Sequence, residues 1–81
     1  MSANLKAQIQ KYLKRKLRAT VSDEDSLFEL GLLDSLKLLD LVAFIEKTTG
    51  AHIPDDEIMP ENFETLPDII ALVQRVSNKA A

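Results

Sequence analysis

The sequence predicts a small all-α fold, and three observations support this prediction. Apolar residues recur at helical spacing near both ends of the chain, residues 36–45 contain eight apolar residues out of ten, and no segment shows the alternating pattern of a β-strand. With 81 residues, of which 46% are hydrophobic, the chain is long enough to bury one modest core. We therefore expect a single domain that covers residues 1–81.

The first predicted helix covers residues 3–18. Its apolar positions recur every four residues between polar or basic ones, which gives the helix one face for a core; they are Leu5, Ile9, Leu13 and Leu17. A long connection without helical periodicity follows over residues 19–34. Because this connection is rich in apolar side chains, we expect it to pack on the body of the domain through Leu27, Phe28, Leu30, Leu32 and Leu33.

The second predicted helix covers residues 35–49. Asp34 or Ser35 can cap its start, because the side-chain oxygen of either residue can accept a hydrogen bond from a free amide of the first turn. Gly50 follows the last predicted helical residue, and glycine commonly closes helices in the left-handed conformation. Both ends of this helix are therefore predicted from local signals.

The apolar surface of the second helix has two interpretations, which are compatible with each other. A helix that is apolar on nearly every side is buried, or it presents part of its surface to a partner. The first interpretation makes it the central core helix. The second leaves part of the surface formed by Leu38, Leu41 and Ile45 for a partner or a lipid-like ligand.

The last third of the chain predicts one short helix and one longer one. Residues 60–64 are expected to form a single short turn of helix. Thr65 followed by Pro67 is a strong start signal, because threonine caps helices well and proline is favoured in the first turn. The last helix is therefore predicted over residues 66–78, with a core-facing stripe of Ile69, Ile70, Val73 and Val76.

The composition excludes several classes of protein. The chain has no cysteine, so disulfides, thiolate metal sites and cysteine nucleophiles are excluded. Its longest apolar runs are five residues, Leu41 to Ile45 and Ile69 to Val73, whereas a membrane-spanning helix needs roughly 18 or more. The N-terminus has no apolar signal-peptide core, so we expect a cytoplasmic protein without membrane insertion.

The charge is distributed unevenly along the chain. Residues 1–20 carry six basic residues and no acidic one, whereas residues 21–81 carry four basic and thirteen acidic residues. A basic helix can bind nucleic acid. However, the net charge is −3, and Tyr12 is the only aromatic residue among the first twenty. We therefore expect no nucleic-acid partner and interpret the basic face as a solvated one.

The sequence predicts no catalytic residue and no metal site. The chain has no Gly-x-Ser-x-Gly motif, and its single histidine, His52, has no local partner that would indicate a triad. Acidic residues cluster at 23–25 and at 55–57, but neither cluster continues into a calcium-binding loop. Solvated loop charges explain both clusters.

The sequence Asp34-Ser35-Leu36 stands at the start of the second helix. Taken alone, this tripeptide indicates only a helix cap followed by an apolar residue. Its position is more informative, because a hydroxyl there is accessible to a modifying enzyme. A phosphodiester formed on Ser35 would lie at the positive end of the helix dipole, where free amides favour an anion.

In its wider context the chain resembles an acyl carrier protein along nearly its whole length. The features that carry the resemblance are the long first loop, Asp34-Ser35-Leu36 before a hydrophobic helix, Gly50 at its end, Ile53-Pro54-Asp55, and Glu61-Asn62-Phe63 with Thr65 before the last helix. The resemblance implies a four-helix bundle with a short third helix. It also implies that Ser35 receives 4′-phosphopantetheine from coenzyme A through a phosphopantetheinyl transferase, with help from Asp34.

The resemblance further implies a carrier without catalytic activity of its own. Acyl groups would be held as thioesters on the thiol of the arm and presented to loading ligases, acyltransferases and synthases, with the chain as a monomer. The second helix would be the main docking surface, formed by Leu36, Lys37, Leu38, Asp40 and Leu41.

Two features distinguish this chain from fatty-acid synthase carriers. Two leucines separate Gly31 from Asp34, a spacing closer to D-alanyl and other aminoacyl carriers, and the charges of the second helix cancel. We therefore expect a specialised acyl carrier that docks mainly through apolar contacts. The alternatives are an aminoacyl, D-alanyl or peptidyl carrier and, from another class, a non-covalent helical interaction module in which Ser35 is only a cap.

Overall fold

The computed structural model describes the backbone of residues 2–80 and the side chains of residues 5–77. Within this range the chain contains three α-helices, two 3₁₀ turns and no strand. The α-helices are α1 (Ser2–Leu17), α2 (Ser35–Thr49) and α3 (Leu66–Ala80), and the 3₁₀ turns are Asp55–Glu57 and Pro60–Asn62. The all-α prediction is thus confirmed, and α2 has the predicted bounds.

All three helices direct one apolar stripe into a common core. The stripes follow the spacing of three and four residues that places side chains on one helical face. Their buried members are Leu5, Ile9 and Leu13 of α1, Leu38, Leu41, Val42 and Ile45 of α2, and Leu66, Ile69, Leu72, Val73 and Val76 of α3. None of the described residues with a polar or charged side chain is buried in this core.

The connection between α1 and α2 packs on the core through four of the five predicted residues. Leu27 and Leu33 are buried and Phe28 and Leu32 are half-buried, but the prediction is wrong for Leu30, which is exposed. The Leu27 N–H donates to the backbone oxygen of the segment before α3, at Glu64, over 2.7 Å. The connection is therefore tied to the segment before α3. It ends at Asp34, directly before Ser35, the first residue of α2.

The predicted short third helix is instead a 3₁₀ turn. The expectation was a helix over 60–64 in a four-helix bundle, but the turn covers only Pro60–Asn62 and is closed by Phe63 N–H donating to the Pro60 oxygen over 3.0 Å. Pro60 favours an extended Met59 before it, so the turn begins at the proline. It ends at Phe63, whose φ of −125° and ψ of 17° leave the helical conformation.

Local sequence signals predict the end of α2 and the start of α3, but not the end of α1. Gly50 closes α2 with φ 76°, and its N–H donates to the Glu46 oxygen over 2.8 Å, as the sequence predicted. Thr65 caps α3 by accepting the Asp68 N–H at Oγ1 over 3.3 Å. The end of α1 differs, because Arg18 takes the left-handed conformation with φ 56° and stops the helix at Leu17.

Across the described residues, the helices are too short or too polar to traverse a bilayer.

Candidate functional site at the start of α2

Ser35 is the first residue of α2 and its side chain is exposed. No residue in the described part of the chain hydrogen-bonds to its hydroxyl. The hydroxyl is therefore free to act as an acceptor of a transferred group, and its use would not break an internal contact.

Asp34, not Ser35, caps the helix. Asp34 Oδ1 accepts the Lys37 N–H over 2.9 Å, and the Asp34 backbone oxygen accepts the Leu38 N–H over 2.8 Å. Its backbone is extended, with φ −138° and ψ −170°, as an N-cap residue requires. Of the two capping residues that the sequence allowed, the structure thus selects the one that leaves the serine available.

Two amides at this end of α2 have no acceptor among the described residues. They belong to Ser35 and Leu36, while the following two amides are satisfied by Asp34. Unsatisfied N–H groups and the helix dipole together favour an anion at a helix N-terminus. The residues present therefore fit a phosphodiester on Ser35, because the two amides lie directly beside its side chain in the sequence.

The predicted docking residues divide into exposed and buried ones. Leu36 is 76% exposed, and Lys37 and Asp40 are also exposed. Leu38 and Leu41 are buried, so their prediction as docking residues is corrected: they belong to the stripe that packs on α1 and α3. The predicted apolar partner surface around them, including Ile45, is likewise part of the core.

The structure adds exposed apolar residues that sequence reasoning missed. Leu39 is 54% exposed, and it follows Leu36 by three residues, which places both on one helical face. Leu30 before α2 and Met59 after it are also exposed. Helical phase separates Leu39 from the core stripe only once Leu38 and Leu41 are known to be buried, whereas the other two lie in loops without a periodic signal.

A groove between α1 and α2 was not predicted at all. It is an open depression of about 500 Å³, which we call the α1–α2 groove. It is lined by Tyr12, Leu13, Lys16, Leu17, Leu33, Lys37 and Asp40. The Tyr12 ring stacks on Phe44 with ring centroids 4.4 Å apart. Burial and, to a lesser extent, the nearby charge of Asp40 raise the pKa of Tyr12, while Arg15 opposes them.

Structural contacts account for several of the clustered acidic residues. Asp23 pairs with Lys6 over 2.7 Å, and Asp25 Oδ2 accepts the Ser22 N–H over 2.9 Å within its own turn. Glu57 pairs with Arg75 over 2.8 Å. Among the side chains that are described, no group of three or more histidine or acidic residues is placed to hold a metal ion.

Comparison with known proteins gives one family and several relatives. The profile of the phosphopantetheine attachment site matches residues 3–73. A curated relative, the probable acyl carrier protein PigG of Serratia sp. (strain ATCC 39006), is 39% identical over 56 residues, which are 69% of this chain. The aligned part spans only 64% of the length of that relative.

Two solved structures contain a similar chain. One is the crystal structure of the Bradyrhizobium japonicum glycine:[carrier protein] ligase with its cognate carrier protein and an analogue of glycyl adenylate. The similar chain in it has a TM-score of 0.73 and 25% identity, and the match covers 91% of this chain and 96% of the other. The other is the same ligase with glycylated carrier protein, with a TM-score of 0.71, 25% identity, and coverage of 89% and 97%. Both similarities extend over nearly the whole molecule.

Proposed function

Since this chain belongs to the phosphopantetheine attachment-site family, we propose that the Ser35 hydroxyl is the position at which 4′-phosphopantetheine is attached. The observation that carries the proposal is the exposed, unbonded hydroxyl at the start of α2, beside an aspartate that already caps the helix. Because the helix is already capped, the Ser35 hydroxyl can reach a transferase without breaking a hydrogen bond to any described residue.

The attachment is a phosphoryl transfer from coenzyme A catalysed by a phosphopantetheinyl transferase. The Ser35 oxygen forms a bond to the phosphorus that bears the pantetheine, and the phosphoanhydride bond of coenzyme A breaks. Adenosine 3′,5′-bisphosphate leaves, and the hydroxyl proton passes to a base of the transferase. When bound, the group supplies the thiol that this cysteine-free chain lacks, on which acyl groups are held as thioesters.

The chain's own residues orient the anchor. The amides of Ser35 and Leu36 favour the negative phosphodiester, because they are unsatisfied and lie at the positive end of α2. Asp34 fixes the first turn through its bond to the Lys37 amide. Its second proposed role, assistance to the transferase, uses the carboxylate oxygen that does not accept this bond.

Partner enzymes are proposed to dock on the exposed part of α2. Leu36 and Leu39 provide the apolar contacts there, and Lys37 and Asp40 are exposed beside them. The transferase has to reach Ser35, and the loading ligase, acyltransferase and synthase have to receive the arm attached there, so each is expected to touch this surface. In this proposal the chain carries the group as a monomer and its partners perform the reactions; the cytoplasmic location stays a prediction.

We propose an acyl cargo in a specialised pathway. The relative with the higher identity, 39%, is named as a probable acyl carrier protein. The aminoacyl alternative is supported by the carriers of the glycine ligase at 25% identity and by the spacing of Gly31 from Asp34. Mass spectrometry of the protein from its native cell, with fragmentation that ejects the arm and its cargo, distinguishes an acyl from an aminoacyl thioester.

The attachment itself is tested by intact mass. After incubation with coenzyme A and a promiscuous transferase, the protein should gain the mass of one phosphopantetheine, and Ser35→Ala should abolish the gain. Ser77→Ala is the matched control, because Ser77 is also exposed on a helix, and it should retain the gain. If the wild type stays unmodified while a known carrier is fully converted, the chain is a non-covalent interaction module instead.

A further inference from the structure

The end of α1 carries four exposed cations without an acidic partner. Lys14, Arg15, Lys16 and Arg18 form what we call the basic end of α1, and within the described residues none of them makes an ion pair with a carboxylate. Lys6, near the start of the same helix, pairs with Asp23 over 2.7 Å. The excess of positive charge is therefore concentrated where α1 ends.

The packing of α1 on α2 brings this charge to the same end of the molecule as Ser35. Tyr12 stacks on Phe44 late in α2, whereas Lys16 lines the α1–α2 groove with Lys37 early in α2. The contacts of α1 thus move toward its end, from Tyr12 to Lys16, while those of α2 move toward its start, from Phe44 to Lys37. The two helices are therefore antiparallel. The basic end of α1 consequently lies beside the start of α2.

The α1–α2 groove combines an apolar floor with a cationic rim. Leu13 and Leu33 are buried beneath it, and Leu17 is half-buried at its edge. Lys16 and Lys37 flank it from opposite helices, so they outnumber the one carboxylate of its lining. A volume of about 500 Å³ accommodates apolar side chains of a docked segment, while the rim favours carboxylates next to them.

We propose that the α1–α2 groove docks an acidic segment of a partner enzyme, with an apolar side chain on the floor and carboxylates facing Lys16 and Lys37. The inference rests on the proposed function, since it supposes a partner that acts on Ser35 or on the arm attached there. Charge complementarity identifies the occupant. The charges of α2 cancel, Lys37 and Lys47 against Asp40 and Glu46, so α1 is the source of net charge at this end.

Two features favour a protein segment over nucleic acid. Residues 21–81 carry thirteen acidic residues and repel an extended polyanion. Tyr12 is committed to its stack on Phe44 and offers no free face on that side for a base. A short acidic segment can lie within the groove without extending over the acidic residues of the rest of the molecule.

The experiment is a titration of the isotope-labelled apo protein with an acidic amphipathic peptide of alternating glutamate and leucine, followed by amide chemical shifts. Lys16→Gln/Lys37→Gln should weaken binding about tenfold, because it removes two charge pairs. Lys11→Gln/Lys14→Gln is the matched control: it removes the same charge from α1, but these lysines line a different groove near Thr20 and Val21. It should change binding by less than about twofold.

The expected shifts map to the amides of Tyr12, Leu17, Leu33 and Lys37. Equal weakening by the two double variants would overturn the proposal, because it would show general attraction of anions to a basic helix. Equal binding of a peptide with lysine in place of glutamate, or tighter binding of a short DNA duplex at the groove, would also overturn it. The apo protein carries no arm, so failure here leaves the mass-gain test at Ser35 unaffected, and the converse holds.

Discussion

Alanine substitutions at Asp34 and Ser35 separate two roles that are adjacent in the sequence. The structure assigns capping of α2 to Asp34, whose Oδ1 accepts the Lys37 N–H over 2.9 Å, and gives the Ser35 hydroxyl no hydrogen bond with any described residue. Loss of an N-cap side chain typically costs about 1 kcal/mol. Asp34→Ala should therefore destabilise the apo protein by about that amount, and Ser35→Ala by less than about 0.5 kcal/mol.

The assay is thermal unfolding of the unmodified proteins followed by circular dichroism. For a domain of this size, about 1 kcal/mol corresponds to a fall in Tm of roughly 4–8 °C. Asp34→Ala should show this fall, whereas Ser35→Ala should unfold close to the wild type and yet fail to gain phosphopantetheine. Equal falls in Tm for the two variants would refute the reasoning, because they would make Ser35 a structural capping residue.

Three further predictions concern the packing around the site. Arg18→Gly should raise the urea midpoint by the equivalent of about 1 kcal/mol, because Arg18 has φ 56° and glycine adopts this conformation without strain; an unchanged or lower midpoint would contradict it. Leu41→Ala should cost about 2–5 kcal/mol in the same assay and Leu39→Ala less than about 0.5, because only Leu41 is buried; similar losses would contradict this contrast. Since burial and Asp40 raise the pKa of Tyr12 above its ordinary value of 10.0, its neutral form stabilises the fold below pH 10.0 and this contribution is lost as pH rises through the raised pKa. Unfolding free energies across the alkaline range should therefore decline less steeply for Tyr12→Phe, and an equal decline would show that Tyr12 is not responsible.

The start and end of α2 could be predicted because the information is local. An aspartate followed by a serine supplies a cap, and Gly50 supplies a left-handed residue after the last turn. Neither signal depends on what the helix packs against. Ser35 could be proposed as the attachment serine for the same reason, since its neighbours in the sequence define both the helix end and the family resemblance.

Properties that depend on tertiary packing could not be predicted in the same way. Eight of ten residues in 36–45 are apolar, so the sequence left open which side of α2 faces the core. Packing on α1 and α3 decides it, burying Leu38 and Leu41 and exposing Leu39. The α1–α2 groove depends on the register of two helices separated by a long connection, and no local pattern encodes that register.

At the start of α2, the residue that caps the helix, Asp34, is not the residue at which we propose the attachment, Ser35. If the serine were the cap, its hydroxyl would have to leave the first turn to reach the transferase, at a cost of about 1 kcal/mol. Because Asp34 caps the helix, the proposed attachment at Ser35 breaks no hydrogen bond of the described residues, and its negative charge would lie where the amides of Ser35 and Leu36 are unsatisfied. On this proposal the same fold accommodates the unmodified and the modified form.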